Sequence, residues 1–222
     1  MENNVTALKL FTLSACPLGK SMGMVMNEVQ GRYASLQIDT IYVELSAQEA
    51  NDFRIKKNPT TLFLNDGGEE LYRVEGFAET EVIIQHIDQL NEGVFMKSEK
   101  LMKNEQTVET YTVYMLENNE LAAVEQTYTN ETSIAAPRIH AIFALLQARR
   151  DNMTNVFPAH SELVSVQFSD GKGRIEIRYA NKSAAESSFY ELRRMALLKT
   201  LHPFHVTEVE LVESYETVDS LG

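Results

Sequence analysis

The sequence predicts a two-domain protein of mixed α/β class. Residues 1–92 read as an α/β domain in the order β-α-β-α-β-β-α. Residues 109–213 read as an α+β domain in the order β-β-α-β-β-α-β. Three observations carry this. Strand and helix signals alternate over the first ninety residues. A polar, weakly patterned stretch at 93–108 follows, read as a linker with a short helix over 95–103. Beyond it, a β-β-α pattern occurs twice before a last strand, and 214–222 reads as a frayed tail.

The first domain opens with ALKLFTL (7–13), a strand-like run. Leu18, Met22, Val25, Met26, Val29 and Tyr33 then recur at helical spacing. Pro17 suits the first turn of that helix, where its missing N–H costs nothing. IDTIYVEL (38–45) is a second strand. Ser46, with Glu49 three residues on, reads as a capping box for a helix over 46–58. TTLFLN (60–65) and EELYRVEGF (69–77) form two strands about the turn DGG (66–68). TEVIIQHIDQL (80–90) is a closing amphipathic helix.

The second domain starts with a hairpin over 110–129 that turns at Asn118-Asn119. A helix over 137–150 begins at Pro137 and aligns Ile139, Ile142, Phe143 and Leu146. Strands at 162–168 and 174–180 flank the turn SDGKG, a helix follows at 187–201, and HVTEVELV (205–212) is the last strand.

The chain has 222 residues, a hydrophobic fraction of 44% and a net charge of −12. Length and composition suffice for a sizeable core. The acidic balance, with no dense basic stretch, argues against nucleic acid or an anionic membrane as partner. The start MENNVTALKLFTLSA does not read as a secretion signal, and no apolar run approaches membrane-spanning length. Cys16 is the single cysteine, so no internal disulfide can form. These features predict a cytoplasmic protein.

Cys16-Pro17-Leu18-Gly19-Lys20 lies at a strand-to-helix junction, Asn58-Pro59-Thr60 precedes the third strand, and Arg73-Val-Glu-Gly76 ends the fourth. Together these resemble the thioredoxin-like fold over residues 5–92. The resemblance implies a reactive thiol at Cys16, a cis proline at Pro59, and contact with substrate through Pro17, Asn58, Pro59 and Thr60. A thiol at a helix N-terminus faces unpaired N–H groups and the positive end of the helix dipole. Both favour thiolate, and Lys20 adds positive charge one turn away. The departures are Gly19 in place of the resolving cysteine, Ala15 in place of tryptophan, and no C-G-F-S motif of monothiol glutaredoxins. Without a second sulfur the chain cannot release a mixed disulfide by itself. An unreactive Cys16 in a binding scaffold is the competing expectation.

VYMLENNELAAVEQ, the helix ending FALLQ, FPAHSELVSVQFSDGKGRIEIRY and PFHVTEVELV resemble the GerMN domain of bacterial sporulation and germination lipoproteins. That resemblance implies a binding or assembly module in a spore-forming bacterium and supplies no catalytic residues. The function expected is a monothiol redox or redox-sensing protein with catalytic Cys16 and Lys20. Its partner is a protein or low-molecular-weight thiol selected by the second domain. The alternative is a non-catalytic binding or assembly protein. No cofactor and no metal are expected. His202 and His205 read as a surface turn rather than a metal pair. His140 reads as a semi-buried or exposed helix residue, and Arg149, Arg150, Arg193 and Arg194 as solvated. DGKG (170–173) lacks the phosphate-loop form, and Glu69-Glu70 has no pocket to make a catalytic pair.

Overall fold

The computed structural model describes residues 4–94, 106–180 and 189–215. The chain divides into two compact units: residues 1–106 with 131–135, and residues 107–130 with 136–222. The expected short helix over 95–103 and the start of the expected 187–201 helix lie outside the described residues, as does most of the tail.

The first unit runs β1 (Ala7–Thr12), α1 (Pro17–Arg32), β2 (Gln37–Tyr42), α2 (Ala47–Asp52), β3 (Thr60–Leu64), β4 (Glu70–Glu75) and α3 (Thr80–Asn91). The sheet order is β2-β1-β3-β4. β2 runs parallel to β1, β3 runs antiparallel to β1, and β4 runs antiparallel to β3. The α1 crossover explains the parallel pair, because two parallel neighbours need a long connection. Alternation along β1 and β3 then builds two cores. Leu8, Leu10 and Phe63 pack with Met22, Met26 and Val29 of α1 and Ile83 and Ile87 of α3. Phe11, Leu62 and Leu64 pack on the other face with Ala50, Ile55 and Ile134. All five residues of β3 are buried, as befits a central strand covered on both faces.

Two local expectations are corrected here. Leu18 falls at helical spacing but is 53% exposed, because it sits in the first turn, ahead of the buried face. Ser46 is the N-cap of α2 but makes no side-chain cap bond. Glu49, the other half of the expected box, instead pairs with Lys9 of β1 at 2.5 Å. The turn after β3 forms as expected. Gly68 takes φ +75°, and Asn65 ties the turn by accepting from the Glu69 amide at 2.9 Å.

The second unit runs β5 (Thr107–Glu117), β6 (Glu120–Asn130), α4 (Pro137–Gln147), β7 (Glu162–Ser169), β8 (Lys172–Tyr179), α5 (Tyr190–Leu201) and β9 (Glu208–Tyr215). β5 and β6 form a hairpin, and Asn118 and Asn119 take φ +50° and +67° at its turn. Two consecutive positive φ values match the right-handed twist of hairpin strands, and asparagine tolerates them. Asp170 and Gly171 make the same kind of turn between β7 and β8. Leu163 and Val166 are three apart because a bulge interrupts β7 between Leu163 and Ser165. β9 pairs parallel to β8.

Arg193 is corrected from a solvated residue to a buried one, with 1% of its side chain exposed. Its Nε donates to Glu213 at 2.7 Å, and its guanidinium lies 5.4 Å from the centroid of the Tyr179 ring. Tyr179 donates to the same carboxylate at 3.0 Å. Removing Glu213 takes a buried acceptor away from both Arg193 and Tyr179. Glu213→Ala should therefore destabilise the second unit by about 3 kcal/mol, read as a fall in urea midpoint. Arg193→Met/Glu213→Leu should recover most of that loss.

Acid should weaken the two units in different pH windows. Burial lowers the pKa of His86, and a ring N–H bond to Gln89 opposes this only in part. The unfolded chain then binds more protons than the fold, so stability falls as pH drops below about 6.5. For Glu109, burial pushes the pKa up, but bonds from Tyr111, His140 and Asn130 outweigh it and leave it lowered. Its contribution is present above the unfolded carboxylate range and is lost as pH falls through the lower folded value. His86→Phe should flatten the fall in urea midpoint of the first unit that begins below about pH 6.5 and leave the Glu109 contribution of the second unit unchanged.

Candidate functional site

β1 ends at Thr12, and the chain turns through 13–15 so that Cys16 caps α1. The Cys16 amide donates to Leu13 O at 3.0 Å and closes the turn. Cys16 has extended backbone (φ −84°, ψ 117°), and Pro17 occupies the first helical position. Lys20 N donates to Cys16 O at 3.1 Å, the first helical bond. The Gly19 amide donates to Cys16 Sγ at 3.4 Å, so a helix N-terminal N–H is aimed at the sulfur. The unpaired N–H groups of the first helical turn converge at this end of α1. Cys16 itself is half-buried, while Pro17 on the same turn and Lys20 are exposed.

Asn58-Pro59 is a cis peptide bond, as the resemblance implies. The Asn58 side chain faces inward. Its Oδ1 accepts from Thr12 Oγ1 at 2.9 Å and from Leu13 N at 3.0 Å. Pro59 is buried, and its carbonyl accepts from Gly76 N at 2.8 Å. Thr60 is buried, with its hydroxyl donating to Lys57 O at 2.7 Å. Of the three, the Asn58 main chain has no hydrogen bond among the described residues.

Gly19 is buried against Thr12. A β-carbon built on Gly19 would lie 1.8 Å from Thr12 Oγ1 and 2.9 Å from Thr12 Cβ. Thr12 therefore joins the two halves of the site. It packs on the residue whose amide holds the sulfur, and it donates to the residue before the cis proline.

Thr12 and Glu44 are the residues that sequence reasoning missed. Glu44 follows β2 and accepts from Ser14 N at 2.8 Å, two residues before Cys16. Its other oxygen is buried with no hydrogen-bond partner among the described residues. Neither residue belongs to a local motif. Their roles come from the pairing of β1 with β2 and β3, which no spacing along the chain announces.

In the second unit, His140 is 5% exposed, against the semi-buried or exposed position expected. Its Nδ1 lies 2.8 Å from Glu109 Oε2, and Tyr128 packs on its ring at 5.0 Å. Tyr111 donates to the same carboxylate. His202 and His205 are exposed around a one-turn 3-10 helix (His202–Phe204). Among the described residues, no three His, Cys, Asp or Glu side chains group as metal ligands, and no helix is long and apolar enough to cross a membrane.

No family model matches the chain, and no curated protein matches it. Solved structures similar to it include chloroplastic thioredoxin z, at 22% identity over 40% of this chain and 81% of that one, with a TM-score of 0.37. Thioredoxin-2 of a malaria parasite is 20% identical over 39% of this chain and 84% of that one, with a TM-score of 0.37. A Schistosoma mansoni thioredoxin pre-protein is 18% identical over 40% of this chain and 81% of that one, with a TM-score of 0.35.

The contact at Gly19 gives a direct test of the site's packing. Gly23 lies in the same helix with nothing within 4 Å of an added β-carbon. Gly23→Ala should stabilise the protein by about 0.4–1 kcal/mol through the unfolded chain. Gly19→Ala should instead destabilise it by about 1–3 kcal/mol through overpacking. Urea midpoints of the two variants should therefore move in opposite directions.

With its strand order, its helices on both sheet faces and its cis proline before β3, the first unit has a thioredoxin-like fold.

Proposed function

We propose that this protein performs one-thiol disulfide exchange on a thioredoxin-like scaffold. The carrying observation is the Gly19 amide aimed at Cys16 Sγ, at the N-terminus of a helix whose dipole favours thiolate. The Cys16 thiolate attacks one sulfur of a partner disulfide. The partner S–S bond breaks, a new one forms to Cys16, and the second partner sulfur leaves as thiolate. Cys16 is oxidised and the partner disulfide is reduced. The thiol proton goes to solvent. Release needs a thiol from outside, because position 19 carries none.

Cys16 is the nucleophile in this reading, and Lys20 supplies positive charge at the exposed start of α1. In this reading the exposed Pro17 and the main chain of Asn58 meet an extended partner, while Pro59 and Thr60, both buried, act from behind by shaping the loop. The second unit, with its likeness to GerMN domains, selects that partner. The partner is a protein or a low-molecular-weight thiol, in the cytoplasm, with no nucleic acid, membrane, cofactor or metal involved.

Glu44 favours the second reading, a non-catalytic binding or assembly protein. A carboxylate held two residues from Cys16 opposes a second negative charge there. Alkylation decides between the two. Under the redox reading, iodoacetamide at neutral pH labels Cys16 several-fold faster in the folded protein than in the urea-unfolded chain, followed by mass spectrometry. A thiol that labels only on unfolding would sink that reading and leave the binding one.

A further inference from the structure

The contact at Gly19 does more than leave a thiol out. Three atoms of Thr12 stand in the way of any side chain there: Oγ1 at 1.8 Å, Cβ at 2.9 Å and Cγ2 at 3.2 Å from an added β-carbon. Rotation about χ1 moves the oxygen and the methyl, but it leaves Cβ in place. The Thr12 backbone is itself held. It pairs with Tyr42 in the β1–β2 ladder, and its carbonyl accepts from Val43 N at 2.9 Å. Turning the hydroxyl away also breaks its bond to Asn58 Oδ1.

We propose that Thr12 is the positioning residue that commits this site to one thiol. It closes position 19 to a thiol-bearing side chain, and it uses the same side chain to hold the loop before the cis proline. The bond to Asn58 keeps the side chain where it fills that space, so a second thiol cannot enter at position 19 while Thr12 stays bonded to Asn58. This rests on the reading of Cys16 as a thiol that forms mixed disulfides. A disulfide formed on Cys16 then waits for an outside thiol by construction of the β1 strand, and not only because Gly19 carries no sulfur.

The test uses full-length protein in two arms. In the first, Gly19→Cys and Thr12→Gly/Gly19→Cys are oxidised with oxidised glutathione, which takes up the two electrons as two glutathione thiols. Mass and free-thiol count follow the product. The double variant should close an internal disulfide between Cys16 and the introduced thiol, and the single variant should give mainly glutathione adducts. Equal internal disulfide in both overturns the proposal. The second arm needs no thiol chemistry. Gly19→Ala should lower the urea midpoint in the wild-type background and lower it less, or not at all, beside Thr12→Gly. The milder Thr12→Ala, which removes two of the three atoms, gives an intermediate shift and replaces Thr12→Gly should that variant not fold. Equal shifts in all backgrounds overturn the proposal. A wild-type Cys16 that stays unlabelled until unfolding defeats the redox reading alone, and the alanine arm still decides the role of Thr12.

Discussion

The close packing of Gly19 on Thr12 is the contact on which the rest of the candidate site depends. It brings the first turn of α1 down onto the end of β1. The helix start carries the sulfur, and the strand end carries the hydroxyl that reaches Asn58. Asn58 in turn accepts from the Leu13 amide, so one side-chain oxygen ties the strand end to the loop before β3. A strand end, the helix start that follows it and a loop distant in sequence meet through a threonine, a glycine and an asparagine. None of these is the group that would do chemistry. Each fixes where that group can sit.

The sheet order makes this convergence possible. β1 lies between β2 and β3, so the end of β1 meets the residues after β2 and those before β3. Val43 and Glu44 come from one side, and Asn58 and Pro59 from the other. α1 leaves from the same end and returns over the face that carries Leu8, Leu10 and Phe63. A sheet with these strands in another order would scatter the same residues. The geometry of the site therefore follows from topology, and the topology follows from alternation and crossover rules acting on short apolar strands.

What the sequence made legible was local. Pro17 after Cys16 marked the start of α1, DGG marked the β3–β4 turn, and Asn118-Asn119 marked the β5–β6 turn. Each is a backbone preference that acts over a few residues. What the sequence hid was set by packing between distant elements. Glu49 looked like a capping residue, but Lys9 of the neighbouring strand takes it instead. Arg193 looked like a solvated charge, but Glu213 and Tyr179 of the adjacent sheet give it a buried partner set. Ile134, far along the chain, belongs to the core beside Phe11 and Leu62. Thr12 read as one more strand residue. Nothing in its immediate sequence signals that it meets Gly19 or Asn58.

The same contact bears on how the missing thiol is understood. Had position 19 been open, glycine there would be one choice among many, and a single substitution would change the chemistry. The space is instead filled by a β-branched residue whose hydroxyl is already in use. Gly19 and Thr12 are thus one feature seen from two elements. Gly19 also leaves its own amide free to face the sulfur, at the position where the first helical turn has no carbonyl partner to offer. The donor aimed at Cys16 and the exclusion of a second sulfur come from the same residue. A site built this way aims a donor at one sulfur and has no room for another beside it at position 19.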